Sequence, residues 1–220
     1  GNAVHDWQFL LAAVVLLSIT FGNFSALWQK NAKRLMAYSS IAQAGFLLIG
    51  ALVLNATGLQ AVLFYSAVYV CMNYLAFLFL HYFEKRDVKT IAEFQGAGKN
   101  HLLPSLFLLV ALVSLTGLPP TAGFTGKLLV FATVWESYQA SAKNILLVLL
   151  VVGLLNTVIS LFYYLRIPYY AFIKTSETNQ KTNILTFENF LGAILVFIIL
   201  YLFFSPELLM GWINKITFVL

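Results

Sequence analysis

Residues 35–83 form a run of 49 without one Asp, Glu, Lys or Arg, and shorter uncharged stretches cover 7–29, 144–165 and 189–206. A transmembrane helix takes about 20 apolar residues, so the long run has to turn once. Asn55-Ala-Thr-Gly58 is the place for it. With 61% hydrophobic residues, 10% charged and a mean hydropathy of +0.87, the chain is too apolar for a water-soluble domain. The expected fold class is all-α: a polytopic membrane protein with six transmembrane helices at about 7–29, 34–54, 60–83, 102–137, 143–172 and 186–205. The chain begins Gly-Asn-Ala with no basic leader and no cleavage site, and is read as a piece of a longer protein.

The fourth helix is expected to be discontinuous. Gly117-Leu-Pro-Pro-Thr-Ala-Gly-Phe-Thr-Gly-Lys127 crosses its middle, and Pro119 and Pro120 remove two backbone donors. Such a break is either a packing kink or, as in many transporters, the wall of an ion site. Lys127 is the only formally charged residue from 100 to 134. An ammonium at bilayer depth costs about 2.5–3.5 kcal/mol on insertion scales, so it is usually there for transport or proton relay.

Polar residues recur on three other helices at helical spacing: Ser39, Ser40 and Gln43; Ser66, Tyr69 and Asn73; Asn156, Thr157 and Ser160. Such stripes can simply tie helices together, at about 0.6–2 kcal/mol per bond. Three of them beside one buried lysine point to a hydrated proton path. Glu136 lies about 13 Å beyond Lys127 along a helix, where it and Thr133 offer a way out.

Charge is distributed by side. If the first helix runs inward, ten of the thirteen Lys and Arg residues fall in three cytoplasmic loops: Lys30, Lys33 and Arg34; Lys85, Arg86, Lys89 and Lys99; Arg166, Lys174 and Lys181. Lys143 and Lys215 face out, with both ends of the chain. Trp7, Trp28, Trp135, Tyr138, Tyr169, Tyr170 and Trp212 suit the interfacial belts. The net charge of +5 follows from this asymmetry, so the basic loops are not read as binding nucleic acid. The single cysteine, Cys71, excludes a thiolate cluster and is expected to be a small buried hydrophobe. His5, His81 and His101 are read as interfacial and solvated, and Glu84-Lys-Arg-Asp87 as a solvated turn. With no phosphate cradle, haem motif or metal cluster in the sequence, no cofactor is expected in this chain.

The string Asn31-Ala-Lys-Arg-Leu-Met-Ala-Tyr-Ser-Ser-Ile-Ala-Gln-Ala-Gly-Phe46, the break from Gly117 to Lys127, and Tyr163-Tyr-Leu-Arg-Ile-Pro168 together resemble the subunit N family of proton-pumping NADH-quinone oxidoreductases (respiratory complex I). The resemblance implies the last six helices of a fourteen-helix antiporter-like subunit. Residues 1–183 would form the second five-helix repeat and 184–220 a terminal transmembrane helix and tail. Lys127 would be the proton-exchanging lysine of the broken helix, with Ser39, Gln43, Ser66, Asn73, Asn156, Thr133 and Glu136 as the candidate water path. The partners implied are the other membrane and peripheral subunits of complex I, lipid, protons and water, and the location a bacterial cytoplasmic membrane. Many relatives carry a histidine where this chain has Gln43, and glutamine can order water but cannot titrate. A subunit of a multi-subunit sodium/proton antiporter shares the fold and the first two motifs. A purely structural membrane scaffold is the reading that the buried Lys127 opposes.

Overall fold

The computed structural model describes residues 2–53, 55–175 and 187–217. These contain α1 (Asn2–Leu27), α2 (Ala32–Ala51), α3 (Ala56–Glu84), a short 3-10 helix (Ile91–Phe94), α4 (Ala97–Asn100), α5 (Leu102–Thr116), α6 (Ala122–Ser141), α7 (Asn144–Pro168), α8 (Phe187–Phe204) and α9 (Glu207–Thr217). After Pro168 the chain continues as one π-helical stretch, Tyr169–Ile173. Four helical stretches are long and apolar enough to cross a bilayer: Trp7–Leu27, Ala56–Glu84, Asn144–Ile173 and Phe187–Phe204. The chain is an integral membrane protein.

Local chemistry sets the boundaries. Asn31 caps α2 by accepting from Arg34 N at 3.0 Å, and Asn55 caps α3 by accepting from Gly58 N at 2.7 Å. α3 is the central helix, packed against α2, α5, α6, α8 and α9, and Phe64, Tyr65, Val68, Met72, Leu75, Ala76 and Phe79 are its sealed face. The outward faces of α1, α7 and α8 stay apolar, with Leu17, Phe21, Phe162 and Phe197 exposed. Trp28, at 81% exposure, stands at the end of α1.

The three basic loops gather at one end of the bundle. Ala32 N donates to Lys89 O at 3.0 Å and Ile91 N to Lys30 O at 2.9 Å. Arg166 donates to Leu27 O at 2.8 Å and Gln29 O at 3.3 Å, while Gly96 N donates to Lys174 O at 3.1 Å. Lys33 pairs with Glu84, so the 84–87 segment is more than a solvated turn. Lys181 lies outside the described residues. At the opposite end, Lys143 Nζ donates to Gln8 Oε1 at 3.2 Å.

Three features of the basic end and of the C-terminal region depart from expectation. Ile91 and Phe94 are buried, so the connection 88–101 folds as short helices under the bundle instead of a free loop. His101 is half-buried between the Tyr82 and Phe83 rings and shares a 3.2 Å hydrogen bond with the Tyr82 hydroxyl. Burial first, and Arg86 second, hold its imidazole below the ordinary histidine range, which a solvated interfacial histidine would not show. Residues 207–217, expected as a tail, form α9, with Ile213 buried and Leu208 and Trp212 exposed. Cys71 is half-buried, not buried. His5's side chain is outside the described part.

Candidate functional site at the helix break

α5 stops at Gly117, whose φ of 85° is a conformation that suits glycine. Gly117 N donates to Ser114 O at 2.9 Å and Leu118 N to Val113 O at 3.2 Å, the Schellman pair of a helix C-terminus. The break is therefore made before the prolines. Pro119 and Pro120 then prevent the helix from resuming until Ala122. Leu115 O and Thr116 O, in the last turn of α5, have no intrahelical partner and are left for something else.

Lys127 takes both. Its Nζ donates to Leu115 O at 3.1 Å and Thr116 O at 2.9 Å, and lies 4.6 Å from the centre of the Phe46 ring. The side chain is 4% exposed, with no carboxylate paired to it among the described residues. A β-carbon on Gly117 would come within 2.8 Å of Lys127 Cδ, so the glycine also makes room for the stem. The charge rests on the negative end of a half-helix and one aromatic face.

Gln43 meets Lys127 at a shared atom. Its Nε2 donates to Leu115 O at 2.9 Å and to the Tyr164 hydroxyl at 3.2 Å, and its Oε1 accepts from the Tyr65 hydroxyl. Because Leu115 O can only accept, the amide orientation is fixed by chemistry. Ser39 Oγ shares a 2.7 Å hydrogen bond with the same Tyr164 hydroxyl. Groups from α2, α3, α5, α6 and α7 thus form one buried polar cluster.

A second cluster abuts it. Asn156 accepts from Asn23 Nδ2 at Oδ1 (3.0 Å), and Tyr163 donates to Asn23 Oδ1 at 2.8 Å. The Tyr163 and Tyr164 rings, 4.5 Å apart, join the two. Asn156 therefore approaches the lysine site only through the tyrosine pair. Replacing Asn23 with Leu should remove the donor to Asn156 Oδ1 and the 2.8 Å acceptor of the Tyr163 hydroxyl, at about 1–3 kcal/mol. We expect a lower melting temperature of the assembled protein, partly restored when Tyr163→Phe is added. Equal stability of Asn23→Leu and wild type would refute a structural role for this cluster.

The other expected residues fall less centrally. Ser66 and Asn73 are half-buried and make no hydrogen bond to either cluster, and Asn73 Oδ1 is buried without a partner among the described residues. Thr157 and Ser160 bond their own helix. Thr133 is buried and donates to Val130 O at 2.9 Å, while Glu136 is exposed on α6. One turn on from Thr133, Ser137 lines a cleft of about 70 Å³ together with Gln8, Ser141 and Lys143. The sequence reading gave no role to Asn23, Phe46, Tyr65, Tyr163 or Tyr164. Tyr163 and Tyr164 continue the Asn156–Ser160 stripe at helical spacing, which was the available signal.

The open carbonyl end of α5 is thus capped by a buried lysine of α6, paired with no carboxylate among the described residues, inside an integral membrane protein. Residues 2–160 match the family model described as NADH:quinone oxidoreductase/Mrp antiporter, transmembrane, and the chain belongs to that family. It is 39% identical over 208 residues to NADH-quinone oxidoreductase subunit N of Chlorobium chlorochromatii, covering 91% of this chain and 40% of that protein. A chain of respiratory complex I from Thermus thermophilus superposes with a TM-score of 0.73 at 35% identity, covering 92% of this chain and 44% of that one. A chain of the Mrp complex from a Dietzia species superposes at 0.85 with 17% identity, over 96% of this chain and 47% of that one, a likeness of fold alone. The chain thus spans about two fifths of the length of the curated relative it matches.

Proposed function

We propose that this chain is the C-terminal portion of a proton-translocating membrane subunit of an NADH-quinone oxidoreductase, moving protons through a path centred on Lys127 and driven by redox chemistry elsewhere in the complex. The observation that carries this reading is the Lys127 ammonium on the open end of α5. In transporters the C-terminal ends of half-helices hold cations, and here the lysine's own charge occupies that position. A helix end is worth up to about 2 kcal/mol to a partly buried cation and an aromatic face about 2 kcal/mol, against an insertion cost of about 2.5–3.5 kcal/mol. The charged form is nearly balanced, as a group that must both carry and lose a proton requires.

Inward supply would run through water held by Ser39, Gln43, Ser66, Asn73 and Asn156, with Thr133 and Glu136 leading out beside the Ser137 cleft. Asn73 Oδ1, buried and without a partner among the described residues, is a natural hydration point. Six crossings would be made by α1, α2, α3, α5 with α6 as one broken helix, α7 and α8. Helices α1–α7 would form the antiporter-like repeat and α8 the terminal span. With the basic end in the cytoplasm of a bacterium, both ends of this piece face out.

Single cysteines placed at positions 33 and 143 of the full-length protein should be labelled from the cytoplasmic side and the outer side respectively. Labelling of position 33 from outside alone would overturn the topology.

A subunit of a multi-subunit sodium/proton antiporter is the second reading, kept open by the family description, which names Mrp antiporters beside NADH:quinone oxidoreductases. Affinity purification of the full-length protein separates the two. Recovery of iron–sulfur and flavin proteins supports the first reading, and recovery of small membrane subunits alone supports the second.

A further inference from the structure

Among the basic residues at their end of the bundle, Lys30 and Arg166 line one cleft together. Lys33, Lys85 and Lys89 each pair with a carboxylate, whereas no carboxylate meets Lys30 or Arg166 among the described residues. Both line a cleft of about 350 Å³ with Thr90, Ile91, Ala92 and Tyr170, and no acidic residue among the described residues contributes to its wall. Backbone bonds between the 30–32 and 89–91 segments build that wall. Arg166 is held by its Nη1 bonds to Leu27 O and Gln29 O, so its remaining N–H groups are presented in a fixed direction. Lys30 is exposed, and its ammonium makes no bond to any described residue.

We propose that this cleft binds the headgroup of one anionic phospholipid. Two cations and the hydroxyls of Thr90 and Tyr170 supply donors for a phosphodiester, and the volume lies at the small end of ligand pockets, suited to a phosphate with its glycerol. The surroundings favour a lipid over a free anion. Phe24 on α1 and Trp28 just after it, with Phe162 on α7 and Tyr169 just after it, are exposed within about a helical turn of Lys30 or Arg166 along the chain or of one another, an apolar and amphipathic apron on which acyl chains can lie. The proposal does not depend on proton transport, and it stands or falls by itself.

The test uses the full-length protein, purified in detergent with its natural partners, stripped of lipid and titrated with cardiolipin, phosphatidylcholine or inorganic phosphate. Bound lipid is counted by native mass spectrometry and thermal stabilisation is followed in parallel. Cardiolipin should bind and stabilise the wild type, with affinity about fivefold lower in Lys30→Gln and largely preserved in Lys30→Arg. Only the backbone of Lys30 is bonded, to Ile91 N, and its ammonium bonds no described residue, so assembly of these side-chain variants should be unchanged. Equal binding of phosphatidylcholine, full stabilisation by phosphate alone, a cardiolipin affinity unaffected by Lys30→Gln, or Lys30 cross-linking to an acidic segment of a neighbouring protein in place of lipid would each overturn the proposal.

Discussion

Gly123→Ala is expected to break the site. A β-carbon at position 123 would lie 1.9 Å from Ser114 O and 2.8 Å from Ser114 C, both backbone atoms that cannot rotate away. The start of α6 must then move off the end of α5, carrying Lys127 away from Leu115 O and Thr116 O. Overpacking of this kind costs about 1–3 kcal/mol, and a rigid backbone neighbour puts it at the upper end. Assembled protein and its melting temperature should both fall. Gly126→Ala meets a movable neighbour, Tyr65 Cδ2 at 2.4 Å, so it should cost less stability while disturbing the Tyr65–Gln43 bond. Gly211→Ala, with nothing within 4 Å, should be neutral or stabilising by up to about 1 kcal/mol from helix propensity. If the three alanine variants were equally stable, the packing account of the break would be wrong.

Lys127→Ala removes the one titratable group at the break, and Lys127→Arg keeps a charge that cannot be given up at working pH. Arginine also lacks room, because Gly117 and Phe46 close on the lysine stem and ammonium. A positioned proton carrier contributes on the order of a hundredfold or more, so transfer through this subunit should fall by at least that factor in both variants. Acidification of vesicles holding the assembled complex, followed with a pH-sensitive dye, reads this directly. Rescue by arginine would mean that Lys127 acts only as a fixed charge.

The class of fold was legible because the uncharged runs are long and the hydrogen-bonding demands of a bilayer leave few alternatives. Lys127 and the break stood out for the same reason, as exceptions in an apolar span. The tyrosines did not. Tyr65 and Tyr164 are apolar over most of their surface and count as core by composition, so only their hydroxyl partners reveal them. Asn23 stands near Ser18, Thr20 and Ser25 on α1 with nothing in the sequence to single it out, and its partners Asn156 and Tyr163 are more than 130 positions away. Ser66 occupied the expected register on α3, yet the helix turns Tyr65, one residue earlier, into the cluster. A 100° step per residue makes such an error easy. The helix α9 was missed because Pro206 and the polar positions after it broke the apolar run that the reading followed.

The ratio of protons translocated to electrons passed from NADH to quinone, measured in proteoliposomes with the assembled complex, tests the central claim most directly. The proposed mechanism predicts a lower ratio in both Lys127→Ala and Lys127→Arg, with assembly intact. A wild-type ratio at the wild-type rate in Lys127→Ala would contradict it, leaving Lys127 as a structural cap on α5.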